Sequence, residues 1–323
     1  MSKVTVTVSP EIWRWVLATV NLPDSDQEQI KKWLNNEEKL ALSALEKFSQ
    51  KTHIPFGYFF LNKPPREKSE LFSYRTVSSQ NNLTPSRDLY DTFHQMENIQ
   101  DWTREYITDN GGEKNPFVGS IDQKDSVIDL TTKIRQILDL DARWYIKSKD
   151  IPDSFNILRD KISSTGVIFM MNGVVGDDNH RQLNVAEFRA FTLKDDYAPL
   201  IFINSMDSKG GQLFSLLHEF VHVGLNTYCL FNLGPFLAKV NSLETLCNAV
   251  ATEILVPSDV FKKKWRDSTF EMKDKSDALS RYFKCSQELI ARRALDFGFL
   301  KIADYLTIIN IYLNFNQKKK KKK

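Results

Sequence analysis

Two of the five histidines in the chain stand four residues apart with an acid between them, in His218-Glu219-Phe220-Val221-His222. On an α-helix, positions i and i+4 lie about 40° apart, so both imidazoles can reach one ion. Glu219 is displaced by about 100°, near that ion but free to act on water. This H-E-x-x-H pattern suits metal-assisted hydrolysis: two nitrogen ligands and a carboxylate that can take a proton. A hydrolytic zinc has three protein ligands and one open position, so a third ligand must come from elsewhere. The segment from Ser242 to Leu255 offers Glu244 and Glu253. Nine residues of helix turn through about 900°, so the two carboxylates face opposite ways and only one can point at the metal. Glu244 shares its face with Asn248 and Ala251, a small polar stripe suited to a metal cavity, and is the favoured ligand. The donor types suit zinc and leave manganese as an alternative. No G-x-S-x-G, P-loop or G-x-G-x-x-G sequence competes with this site.

The motif needs a buried helix to carry it. Around its polar stripe stand Leu213, Phe214, Leu216, Leu217, Phe220, Val221 and Val223, the texture of such a helix. Upstream, Gly166 to Met171, Glu187 to Leu193 and Ala198 to Asn204 are short β-rich runs split by Gly- and Asp-containing loops, which predicts a sheet of at least three strands. Phe169 to Asn172 and Leu200 to Asn204 are candidate edge strands on which an extended peptide would pair. Helices are predicted over 87–108, 127–146 and 155–163. At the start, Val4 to Val8 alternates Thr and Val as a short strand. Ser9-Pro10-Glu11 then opens a helix with a cap, a first-turn proline and an acid at the positive end. Further helices are predicted over 27–34 and 42–52, and Asn62 to Glu70, with Pro64-Pro65, reads as a linker. After Gly211 helices dominate to the end.

At 323 residues, 41% apolar and 26% charged, the chain reads as globular and not disordered. Only 12 Gly and 11 Pro fit a largely helical fold. Cys229, Cys247 and Cys285 form no C-x-x-C pair, and their odd number gives no disulfide framework, so reduced thiols in a cytoplasmic protein are expected. The first residues carry no apolar run of signal-peptide type, and no stretch approaches the ~18 apolar residues of a membrane span. The net charge of +3 is uneven: from Ser258 onward there are 17 Lys and Arg against 8 Asp and Glu. Lys318 to Lys323 reads as a solvated tail. From Met1 to Leu61 the balance is 7 against 7, whereas DNA-binding domains usually show a basic surplus.

From Leu158 to Pro257 the chain resembles the ImmA/IrrE family of bacterial and phage zinc metallopeptidases. The pieces that carry the likeness are LRDKISSTGVIF, EFRAF, APLIFIN, LFSLLHEFVHVGL and ETLCNAVATEILVP, in the family's order and spacing. LALSALEKFSQKTHIPFGYFFLNKPP, SYRT and SRDLYDTFHQMENIQDW are similar to the longer members, in which an XRE-type helix-turn-helix domain precedes the peptidase. One departure is Ala190, where the family often has glycine. The resemblance implies His218, His222 and Glu244 as metal ligands, Glu219 as catalytic base, and an XRE-type repressor as protein substrate. The expected fold is α+β, mostly α: a zincin-like core whose small sheet packs on the H-E-x-x-H helix, between an N-terminal helical domain and C-terminal helices. The expected divisions are a degenerate XRE-like domain over 1–62, a linker over 63–86, the peptidase with leading helices over 87–257, a helix-turn-helix-like region over 258–313 and the Lys-rich tail over 314–323. Between Trp15 and Trp33 there is little room for a full DNA-reading unit, so a docking or dimerising role is favoured for the first domain. In the C-terminal region, Arg292 and Arg293 are candidates to hold an acidic patch of the substrate. The competing reading is a DNA-binding regulator or antitoxin-like module that keeps a peptidase fold with little turnover.

Overall fold

A computed structural model describes residues 4–20, 22–35, 39–65, 85–231 and 242–310. In chain order the helices are α1 (Pro10–Thr19), α2 (Asp24–Leu34), α3 (Leu42–Thr52), α4 (Arg87–Asp109), α5 (Val127–Ile137), α6 (Ile151–Ser163), α7 (Lys209–Gly224), α8 (Ser242–Leu255), α9 (Ser258–Asp267), α10 (Met272–Phe283) and α11 (Gln287–Asp296). The strands are β1 (Ile168–Asn172), β2 (Val174–Val175), β3 (Asp178–Gln182), β4 (Ala190–Leu193), β5 (Leu200–Asn204) and β6 (Cys229–Phe231). The chain divides into two units, one of Met1–Gln95 with Val174–Leu183 and one of Met96–Gly173 with Asn184–Lys323.

In the first unit, the Ser9 side chain accepts from the Glu11 N–H, with Pro10 in the first turn of α1. Helices α1 to α3 bury Ile12, Trp13, Val16, Ile30, Leu45 and Phe48 around Phe59. Trp13 is the hub, 5.3 Å from Trp33 and 5.6 Å from both Phe48 and Phe59 between ring centroids. The strand expected over Val4 to Val8 is only an isolated antiparallel bridge between Thr5 and Ala41. Its partner backbone turns into α3 at Leu42, so the ladder stops after Val6 donates to Leu40 and Leu42 donates to Val4. The β2–β3 hairpin completes the unit: Arg181 donates to Asp88 at 2.9 Å and to Asp91 at 2.7 Å. Most of the expected linker, 66–84, lies outside the described residues.

The second unit is built on a four-stranded sheet in the order β1-β5-β4-β6. β1 runs parallel to β5, whereas β4 is antiparallel to both β5 and β6. Every residue of β4 and β5 is buried, which explains the unbroken apolar run of Leu200 to Ile203. Leu200 to Asn204 is therefore an interior strand, and the expectation of an edge there is corrected. The edges are β1 and the three-residue β6, which is too short to show an alternation in the sequence.

Helix α7 lies on β4 and β5, with α6 and α8 packed against it and α5 against α8. Gly224 closes α7 where there is no room for a β-carbon, which would lie 2.7 Å from Phe117 and 2.8 Å from Ile121. Phe117 in turn stacks on Phe220 at 4.1 Å. The helix expected over 127–146 ends at Ile137. Asp139 adopts a left-handed φ of 45°, and the Leu140 N–H turns back to the Arg135 carbonyl. A 3-10 turn over Trp144–Lys147 follows, and the Trp144 indole N–H donates to the Ile254 carbonyl at 3.2 Å. Helices α9 to α11 share the core of this unit through Phe261, Phe283, Cys285 and Ile290. The architecture is thus α+β and mostly helical, with a small sheet packed on the helix of the paired histidines. Among the described residues no helix is long and apolar enough to cross a membrane. The Lys-rich tail over 314–323 lies outside the described residues.

Candidate metal centre

Helix α7 begins on Ser208, whose side chain accepts from the Gly211 N–H. Its second half is enclosed: Ser215 through Gly224 are all buried. The four-residue spacing stacks His218 and His222 on one side, with their Nε2 atoms 3.2 Å apart. The His222 Nδ1 forms a hydrogen bond with Thr227 Oγ1 at 2.8 Å, which leaves Nε2 facing inward. Helix α8 brings up Glu244, with Oε2 3.2 Å from His218 Nε2 and Oε1 3.5 Å from His222 Nε2. Residues 232–241, between β6 and α8, lie outside the described residues.

A fourth donor stands in the same place. Cys229, buried in β6, lies with Sγ 3.8 Å from His218 Nε2 and 3.9 Å from Glu244 Oε1. One donor atom from each of His218, His222, Cys229 and Glu244 fits within a set whose members are all within 4.8 Å of one another. Two imidazoles and a carboxylate, with a thiol beside them, are donors that zinc accepts.

Glu219 does not join this group. Its carboxyl is fully buried, and Oε2 accepts from Thr192 Oγ1 at 2.5 Å. Its Oε1 is buried with no hydrogen-bond partner among the described residues, a polar atom that a bound water would satisfy. Burial pushes the Glu219 carboxyl above the usual carboxylate range, against the pull of His218, His222 and Thr192. Glu244 goes the other way. Burial alone would raise it, but hydrogen bonds from His218 and His222 outweigh that and hold it below the usual range. Burial also pushes the Cys229 thiol well up. Two neighbouring carboxyls thus carry opposite tendencies, one toward holding a proton and one toward charge.

The structure brings together His218, His222 and Glu244, and sets Glu219 one residue away on α7. Glu253 is elsewhere, as its half-turn offset from Glu244 requires. It is not a surface carboxylate: it accepts from the Ser258 N–H at 2.9 Å and Ser258 Oγ at 2.5 Å, and pairs with Arg293. Arg293 is consequently buried, which corrects its assignment as a surface for an acidic partner. Arg292 instead pairs with Asp296 along its own helix at 2.8 Å. The candidate edge at Phe169 to Asn172 is also remote. β5 separates it from β4, so the strand of Thr192 is about 10 Å away at normal strand spacing. The edge strand at the cluster is β6.

Sequence reasoning missed Thr192, Thr227 and Cys229. Thr227 lies five residues past His222, within reach of a search for hydroxyls just beyond the motif. Thr192 and Cys229 gave no local signal, since sheet pairing brings them in: Thr192 and Cys229 are cross-strand partners in the β4–β6 ladder.

A small sheet lying on a buried helix, with paired histidines aimed at a carboxylate of the following helix, defines a zincin-like core. Residues 179–295 match the model of the Peptidase_M78 family, described as the IrrE N-terminal-like domain. That span holds β4 to β6, α7, α8 and the helices through Leu295, and with them every donor of the cluster. No curated protein matches the chain.

Proposed function

We propose that the chain is a zinc-dependent endopeptidase that hydrolyses a peptide bond in a regulatory protein. The observation that carries this reading is the convergence of His218, His222 and Glu244, with a fully buried acid, Glu219, beside them. His218, His222 and Glu244 would hold the metal through Nε2 atoms and a carboxylate oxygen. Zinc bound there would polarise the scissile carbonyl and make water more acidic. Thr192 holds one oxygen of Glu219, leaving Oε1 to take the proton of the attacking water. The raised affinity of Glu219 for protons suits it to keep that proton and pass it to the leaving amine. The apolar enclosure by Leu217, Phe220 and Val221 excludes competing water from the back of the helix. What supports an XRE-type repressor as substrate is the resemblance to ImmA/IrrE peptidases.

The test separates binding from chemistry. Replacing His218 or His222 with Ala should remove most of about one zinc per chain. Glu219→Gln should retain the metal and fold and lower cleavage of purified XRE-type repressors by about 10²–10⁴-fold. Peptide mass spectrometry reads the cut, and elemental analysis reads the metal. Wild-type cleavage by the Glu219 variant would assign the base elsewhere, and full zinc in the double histidine variant would sink the site.

A further inference from the structure

A catalytic zinc site leaves one coordination position open, whereas a structural one is closed by four protein donors. The cluster offers four. For bonds of 2.0–2.3 Å at tetrahedral angles, neighbouring donors stand roughly 3.3–3.8 Å apart. Nitrogen–nitrogen and nitrogen–oxygen separations here are 3.2, 3.2 and 3.5 Å, and the two involving Cys229 sulfur are longer, 3.8 and 3.9 Å. The longer bond that sulfur makes to zinc accounts for part of the extra length, and closing on an ion would draw the sulfur in by a few tenths of an ångström. The thiol has a fixed position: its strand is held in register to β4, with Cys229 opposite Thr192. It is buried, and the ladder holds its backbone in place, so rotation of the side chain is what can take the sulfur off the metal.

We infer that Cys229 is the fourth ligand of the resting metal, so that the loaded chain is latent until this sulfur gives up its place. The inference rests on the metallopeptidase reading above. On loading, the thiol loses its proton to solvent as the sulfur–metal bond forms. On opening, that bond breaks, the sulfur takes a proton back, and the position becomes free for water or the substrate carbonyl. No oxidant or reductant is needed. A peptidase aimed at a regulatory protein is thereby kept from cutting indiscriminately, and its resting state also holds the metal more tightly than three donors would.

The chain supplies its own controls, because Cys247 and Cys285 are also buried. Cys247 belongs to α8 with Glu244 and hydrogen-bonds His222 but lies outside the four-donor set, so it controls for a neighbouring thiol, whereas Cys285 belongs to neither the donor set nor this hydrogen bond. Full-length protein is loaded with Co²⁺ and, separately, Zn²⁺. The cobalt form should show a thiolate-to-metal charge-transfer band, and X-ray absorption of the zinc form should show one sulfur at about 2.3 Å. Cys229→Ala and Cys229→Ser should each lose the band and the sulfur while keeping about one metal per chain, and Cys247→Ala should keep both. The Cys229 variants should also surrender metal to a chelator faster and cleave substrate about tenfold faster or more, since only an open position admits water. One metal per chain without sulfur, or a band lost in Cys247→Ala and kept in Cys229→Ala, overturns the inference and leaves the peptidase reading standing. Sulfur ligation with unchanged cleavage in both Cys229 variants overturns latency. A wild-type chain that binds no metal overturns both readings.

Discussion

In the proposed mechanism, Thr192 sets how Glu219 would behave as a base. Its hydroxyl donates to one carboxylate oxygen and so favours the charged form. Thr192→Val keeps the shape and removes that donor, which leaves a second buried oxygen of Glu219 unsatisfied, at about 1–3 kcal/mol. The sign is definite: loss of the donor raises the Glu219 pKa further, and the base must be deprotonated to act. The acid limb of kcat/KM against pH should therefore move to higher pH, with metal content unchanged. A limb that stays put would show that a different group governs it. At this scale the sequence displayed what lies on one helix: the H-E-x-x-H spacing alone places His218, Glu219 and His222. It also separated Glu244 from Glu253 by rotation, because both ride α8. It was silent on Thr192 and Cys229, which depend on the pairing of β4 with β6, a contact between residues far apart in the chain.

Helix α8 joins two jobs on opposite sides. One side presents Glu244 to the histidines, and the other buries Glu253 against Arg293 and the start of α9. Glu244→Ala should weaken metal binding markedly with the fold intact. Glu253→Ala should keep the metal but strand Arg293, whose side chain is only 10% exposed, at a cost on the order of 3 kcal/mol. Thermal denaturation beside elemental analysis distinguishes them, and a Glu253 variant that loses metal at unchanged stability would reverse the assignment. Helices with caps were legible in sequence: Ser9 and the apolar periodicity behind it mark α1. The overextended helix over 127–146 shows the limit. Asp139 carries a left-handed backbone that neither glycine nor asparagine announces, so the break after Ile137 leaves no residue signal. Likewise Val4 to Val8 has strand texture, but strand formation requires a partner, and Leu42 turns into helix too soon.

The two units have hydrophobic cores that share no residue, one around Trp13 and one around α7. The proposed peptide-bond chemistry is generic, so on that reading selection of one protein among many would rest on docking away from the scissile bond. Removal of residues 1–62 should leave metal binding and hydrolysis of a short peptide unchanged, and lower kcat/KM for the proposed repressor substrate by about tenfold or more. Equal efficiency on the repressor would show that the first three helices do not recognise it. The candidate ligands also have a consequence for the molecule as a thermal object. His218 and His222 sit on one helix and Glu244 on another, so an ion held between them is a removable cross-link within the larger core. Such a link stabilises the folded chain by mass action, about 2.7 kcal/mol when free metal is 100 times its dissociation constant. The melting temperature then becomes a gauge of free zinc: it should climb steadily as buffered zinc is raised, fall when a chelator is added, and stay flat in His222→Ala.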